Sequence, residues 1–170
     1  MKIELIHKNS KATIATLGAE LITLEKEGTN YIWTVDEKFW NKTSPILFPI
    51  VGRLRNDSYS IDNKNFSLPR HGFARNYEFN IIQQTSNSVV FCLESDATTL
   101  KNYPFEFQLL INYLLDENGL KIAYSVLNKS DRKMPFSIGA HPAFAIDSNF
   151  SDCKLVFNSK ENLVTHHLEK

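Results

Sequence analysis

The chain has 170 residues, and its 19 Lys plus Arg are matched by 19 Asp plus Glu, so the formal net charge at pH 7 is zero. That balance excludes the basic excess of a general nucleic-acid binder, an acidic tail and a polybasic membrane patch. With 42% hydrophobic and 22% charged residues, the composition is that of an ordinary soluble globular protein, and the length suits one domain with a real core.

Two-residue alternation dominates the chain. Residues 2–7 place Ile3 and Leu5 on one face, residues 12–17 run to Gly18, and residues 19–25 follow at once. Short β-branched runs bounded by Gly, Asn and Asp are strand signals. The pattern continues through residues 31–34, then 58–61 and 65–68, the last two split by Asp62-Asn63-Lys64 as a hairpin would be. Residues 36–41 suit a single helical turn, and residues 95–101 suit a short capped helix before Pro104. Residues 105–115 and 120–127 form the clearest hairpin, with Asn118-Gly119 supplying the positive φ angles of a tight turn. Phe105, Phe107, Leu109 and Ile111 share one face of it, as do Leu120, Ile122, Tyr124 and Val126.

Many short strands with frequent turns predict an all-β, mostly antiparallel sandwich or barrel. No repeat, low-complexity tract or linker divides residues 1–170, which are read as one unit. Cys92 and Cys153 are too few for a disulfide framework, and Cys92 falls in the apolar run 88–93, where a buried reduced thiol is expected. The N-terminus has no apolar stretch of signal-peptide length, and no window reaches the roughly 18 apolar residues of a membrane span. A cytoplasmic location is the expectation.

Two segments break the alternation. One is residues 45–54 with residues 68–75 after the hairpin; the other is residues 134–144. Each sets a histidine, His71 or His141, beside Gly or Pro among apolar and aromatic residues. Imidazole exchanges protons near neutrality, so a His on a rigid strand end with aromatic walls suits an acid or a hydroxyl ligand. Arg53 and Arg75 add donor forks suited to oxygen-rich ligands. The alternative is that both imidazoles are satisfied structural residues and that both arginine stems lie over Phe or Tyr.

Other chemistries fit less well. His71 and His141 lack a partner at metal-ligand spacing, and His166 and His167 are adjacent, so on a strand they point to opposite faces. Ser137, in Pro-Phe-Ser-Ile-Gly, lacks the first Gly of a nucleophile elbow. No Gly-x-Gly-x-x-Gly or Walker loop is present.

The segments Leu47-Phe48-Pro49-Ile50-Val51-Gly52-Arg53, His71-Gly72-Phe73-Ala74-Arg75 and Gly139-Ala140-His141-Pro142-Ala143-Phe144 together resemble the aldose 1-epimerase (galactose mutarotase-like) family, in particular its bacterial lactose-operon-associated branch. Supporting matches are Gly18-Ala19-Glu20-Leu21, residues 31–36 with Trp40, Tyr103-Pro104-Phe105, and Asn128 ahead of residues 134–139. The resemblance implies an antiparallel twisted β-sandwich of the galactose mutarotase-like supersandwich type, with a carbohydrate cleft on a concave face. It implies interconversion of the α and β anomers of a free aldose by acid–base ring opening, with no cofactor or metal. By motif position, His141 is the acid at the ring oxygen, His71 a hydrogen-bonding partner near that oxygen, and Arg53 or Arg75 a holder of hydroxyls.

In the family the general base is a glutamate in the C-terminal part of the domain. The likeness here covers somewhat more than the first half of that domain, so the sandwich is expected to be incomplete at the C-terminus and the chain inactive or weak. Glu161 and Glu169 stand in a different context from that base. The expected partner is a small-molecule monosaccharide, with neither nucleic acid nor membrane, and unpaired edges would favour a homodimer. Two further readings remain: a non-catalytic carbohydrate-binding or sensing protein, and a hexose-6-phosphate 1-epimerase with Arg53, Arg70 and Arg75 at the phosphate.

Overall fold

The computed structural model describes residues 1–146, 149–162 and 164. His166, His167 and Glu169 lie outside the described residues. Four strands, β1 (Lys2–His7), β2 (Ser10–Ala15), β3 (Leu21–Lys26) and β4 (Thr29–Asn30), form one antiparallel sheet in that order. Short pieces follow: β5 (Ile46–Leu47), then the hairpin β6 (Ser58–Ile61) and β7 (Lys64–Ser67). The second four-stranded sheet contains β8 (Asn80–Gln84), β9 (Ser88–Glu94), β10 (Phe107–Asp116) and β11 (Gly119–Asn128), in the order β11-β10-β9-β8. A single helix, α1 (Ala97–Asn102), links β9 to β10, and β12 (Gly139–Ala140) returns to pair with β5.

This is the antiparallel sandwich expected from the alternation. Phe107, Leu109, Ile111, Tyr113 and Leu115 of β10 are at most 1% exposed and meet Ile3, Leu5, Ala12 and Ile14 from the facing sheet in one core. Burying each such side chain contributes about 1.5–3 kcal/mol. The Tyr113 hydroxyl crosses the core to donate to the Ala19 carbonyl at 2.8 Å. β11 is an edge, and its inward residues Leu120, Ile122, Tyr124 and Val126 are only half-buried. Beyond Ala145, Phe150, Leu155 and Val156 are more than four-fifths exposed. Among the described residues, no helix is long and apolar enough to cross a membrane.

Local chemistry sets the turns. Asp96 caps α1 by accepting from the Thr98 and Thr99 amides, while the Thr99 hydroxyl accepts from the Asp96 amide. The expected turn at residues 36–41 forms, closed by the Phe39 and Trp40 amides on the Asp36 carbonyl. In the β10–β11 hairpin only Gly119 takes a positive φ, 129°. The Asp116 carboxylate accepts from the Asn118 amide at 2.8 Å and closes the turn from the side. Two-residue hairpin turns with both residues at positive φ are instead Glu27-Gly28, at φ 51° and 84° between β3 and β4, and Asp62-Asn63, at φ 50° and 60° between β6 and β7.

Two departures from the sequence reading matter for function. Residues 31–34 do not extend a strand; Ile32 makes an isolated bridge to Phe144, because its partner arrives from the other end of the chain. β2 ends at Ala15, since Gly18, at φ 71°, turns the backbone against the Arg75 carbonyl. A Cβ at position 18 would lie 2.7 Å from that oxygen. Tyr113→Phe removes the hydroxyl that satisfies a buried carbonyl and is expected to lower the stability read from urea unfolding by about 1–2 kcal/mol.

Candidate active site

His71 sits at φ 69° in a turn that only a neighbouring glycine makes possible. Gly72, at φ 71°, lies so close to Phe48 that an added Cβ would fall 2.2 Å from the Phe48 carbonyl oxygen. That oxygen also accepts from the Phe73 and Ala74 amides, at 3.0 and 3.2 Å. The turn is therefore clamped onto Phe48, the residue that follows β5. On its other side, the His71 amide donates to the Gly52 carbonyl at 2.7 Å, and the Gly52 amide donates to Nδ1 of His71 at 3.0 Å.

His141 follows β12 directly, and its amide donates to the Pro45 carbonyl at 3.2 Å. Residues 42–44, just before Pro45, are in turn held by Glu20, whose side chain is 6% exposed. One carboxylate oxygen of Glu20 accepts from the Thr43 amide at 2.7 Å, the Thr43 hydroxyl at 3.0 Å and the Ser44 amide at 3.1 Å; the other accepts from Lys42 at 3.3 Å. The Ala143 amide donates to the Thr43 carbonyl at 2.8 Å, so this buried carboxylate fixes the seat of the His141 segment.

The two imidazoles meet. Their ring centroids are 6.1 Å apart and nearly perpendicular, and Trp40 lies 5.0 Å from His141. A cavity of about 160 Å³ opens between them, lined by Trp40, Pro45, Arg70, His71, Arg75 and His141. Among the described residues no carboxylate lines it. Burial first, then the charges of Arg70, Arg75 and His141, hold the His71 pKa below the ordinary imidazole value. Three larger grooves, of about 780, 450 and 220 Å³, contain neither histidine.

Of the two arginines singled out in the sequence, Arg75 lines the cavity and donates to the Arg70 carbonyl at 2.9 Å. Arg53 is turned elsewhere, with Nε and Nη2 on the Asp57 carboxylate at 2.7 and 2.6 Å. Arg70 stands in the cavity wall in its stead. Trp40 and Glu20 belong to the site as well; the Gly-Ala-Glu-Leu and Trp40 matches were the only sequence signals for them. Glu161 is exposed and accepts from Ser159, away from the cavity.

The aldose 1-epimerase family model matches residues 1–168. The chain belongs to the aldose 1-epimerase family. It is 37% identical over 167 residues to the chromosomal protein LacX of Lactococcus lactis subsp. lactis, covering 94% of this chain and 54% of that one. A galactose mutarotase-like protein from Lactobacillus casei superposes with a TM-score of 0.85 at 38% identity, covering 89% of this chain and 52% of that one. A galactose mutarotase related enzyme from Lactobacillus acidophilus gives 0.85 at 36% identity, covering 91% and 52%. The chain thus spans about half the length of the family members it matches, and its fold is the galactose mutarotase-like β-sandwich.

Two measurements test this candidate site. Gly72→Ala combines a left-handed φ with a clash against backbone, whereas an added Cβ on Gly52, at φ 87°, meets nothing within 4 Å. Gly52→Ala is expected to cost about 1 kcal/mol of unfolding free energy and Gly72→Ala at least ~3 kcal/mol. The second concerns pH. Because the His71 pKa is depressed in the folded chain, the unfolded chain takes the proton first. The stability gained from a neutral His71 is complete above the unfolded value of about 6.5 and is lost as pH falls through the folded value. Urea midpoints should fall below pH ~6.5, and His71→Asn, which tolerates left-handed φ, should flatten that fall; an equal fall in both would contradict the assignment.

Proposed function

We propose that this chain carries the acid side of a mutarotase-type isomerase site acting on a free hexose. The observation that supports this most is the convergence of His71 and His141, from motifs 70 positions apart in sequence, on one solvent-open cavity. In the proposed reaction His141 gives its proton to the ring oxygen as the C1–O5 bond breaks, while a base takes the proton of the C1 hydroxyl. The resulting aldehyde rotates about C1–C2, and the same groups run in reverse as the ring closes on the other carbonyl face. His71 donates a hydrogen bond beside the ring oxygen, Arg75 holds hydroxyls, and Arg53 would join it by leaving Asp57. The resemblance assigns the base to a glutamate in the other half of the family domain, so these 170 residues alone should turn over weakly or not at all.

Positioned acid–base groups contribute about 10²–10⁴-fold each. The test is polarimetry of freshly dissolved α-D-glucose or α-D-galactose with the full-length gene product. It should accelerate mutarotation, and His141→Ala should cut the rate by about that factor; a wild-type rate equal to buffer would sink the reading. A second reading, a hexose 6-phosphate substrate, is favoured by one observation. Arg70 and Arg75 both line the cavity, and among the described residues neither is in an ion pair. Calorimetric titration separates the two, and sugar binding without turnover by the full-length protein would point instead to sensing.

A further inference from the structure

The His71 ring faces two donors with only one acceptor to give. The Gly52 amide approaches Nδ1 at 3.0 Å and Arg70 Nε approaches Nε2 at 3.2 Å. A neutral imidazole accepts at one nitrogen and donates at the other, so these two hydrogen bonds cannot coexist. The decision lies with whichever donor is held more firmly. Arg70 is a long, exposed side chain. The Gly52 amide belongs to a backbone loop pinned at the preceding residue, where the Val51 amide donates to Ser137 Oγ at 3.0 Å. Ser137 is itself fixed, because its own amide donates to the Pro49 carbonyl at 2.9 Å.

We propose that Ser137 is a positioning residue: by holding Val51 it keeps the Gly52 amide on Nδ1 and so locks His71 as an Nε2–H donor beside Arg70. Ser137 lies two residues before β12, so the same side chain ties the loop behind His71 to the strand that delivers His141. In this tautomer Nε2–H and Arg70 Nε–H face each other as two donors. Two facing donors repel, so Arg70 Nε–H turns aside. An oxygen atom seated beside the pair, in the cavity they both line, accepts from both, which marks the spot where a ligand oxygen settles. Toward the cavity His71 is then a donor only and never the base. The purpose of this arrangement rests on the mutarotase reading, whereas the tautomer is a property of the chain itself and is measured without sugar.

The experiment uses the 170-residue chain with ¹⁵N-labelled histidine at pH 8, where imidazole is neutral. Long-range ¹H–¹⁵N correlation should show His71 Nδ1 as the unprotonated nitrogen and Nε2 as the protonated one. Amide exchange should show Gly52 protected. Ser137→Ala should speed exchange at Gly52 about five- to tenfold, the effect of losing one supporting hydrogen bond, with Ile111 in the core unchanged. Ser137→Thr, which keeps the hydroxyl, should restore it. A protonated Nδ1 in the unsubstituted chain, which requires no variant to fold, would overturn the proposal. So would Gly52 exchange that is indifferent to Ser137→Ala, or that changes only in step with Ile111. Failure of polarimetry with these results intact would remove the mutarotase reading and leave the locked imidazole standing.

Discussion

The architecture of the site depends on the packing of Phe48 against the turn that presents His71. The Phe48 ring lies within 6.3 Å, centroid to centroid, of Phe73, Tyr103, Phe107 and Phe136, joining the main sheet to both histidine-bearing segments. The pairs with Phe73, Tyr103 and Phe107 are edge-on, and such pairs each add about 0.5–1.5 kcal/mol beyond their buried area. The Phe48 carbonyl meanwhile takes the amides of Phe73 and Ala74, and its atoms leave no room for a side chain on Gly72. Ring and backbone of one residue thus fix both the position and the direction of the His71 turn. The left-handed backbone at His71 is held by these surroundings, as strained residues at working sites generally are.

His141 is placed by a different device. The strand that precedes it has two residues, too few to hold a side chain rigidly, and the load passes to neighbouring backbone. Glu20 accepts three hydrogen bonds from Thr43 and Ser44 on one oxygen and an ion pair from Lys42 on the other. A buried carboxylate with partners at this density is costly to strip of them and rigid while it keeps them. It acts on the aldose 1-epimerase motif from outside the cavity, through carbonyls rather than through its own charge.

The sheets were legible in the sequence where alternation is strong. β1, β6, β10 and β11 follow the apolar periodicity closely, because each has one face more buried than the other. β8 was not read, since Asn80-Ile81-Ile82-Gln83-Gln84 lies at an exposed edge with an irregular register and has little apolar contrast. The bridge from Ile32 to Phe144 was invisible because pairing between distant segments leaves no local pattern. His71, His141 and Arg75 were legible from family motifs, yet the side-chain direction of Arg53 was not. A guanidinium four residues from Asp57 is drawn to that carboxylate, and sequence spacing alone does not say which of two partners wins. Arg70 was read from the sequence only as a phosphate contact of the hexose-6-phosphate alternative, and the turn geometry brings it to one wall with His71.

The seam between β5 and β12 has a kinetic meaning. The hairpins β6–β7 and β10–β11 close over two-residue turns, whereas Val51 and Ser137 must find each other across 86 positions. Closing so long a loop costs more chain entropy and returns a ladder only two residues long. Loop-closure entropy therefore favours early local hairpins and late joining of the two imidazoles, and substitutions along this seam are expected to act more on the unfolding rate than on the folding rate.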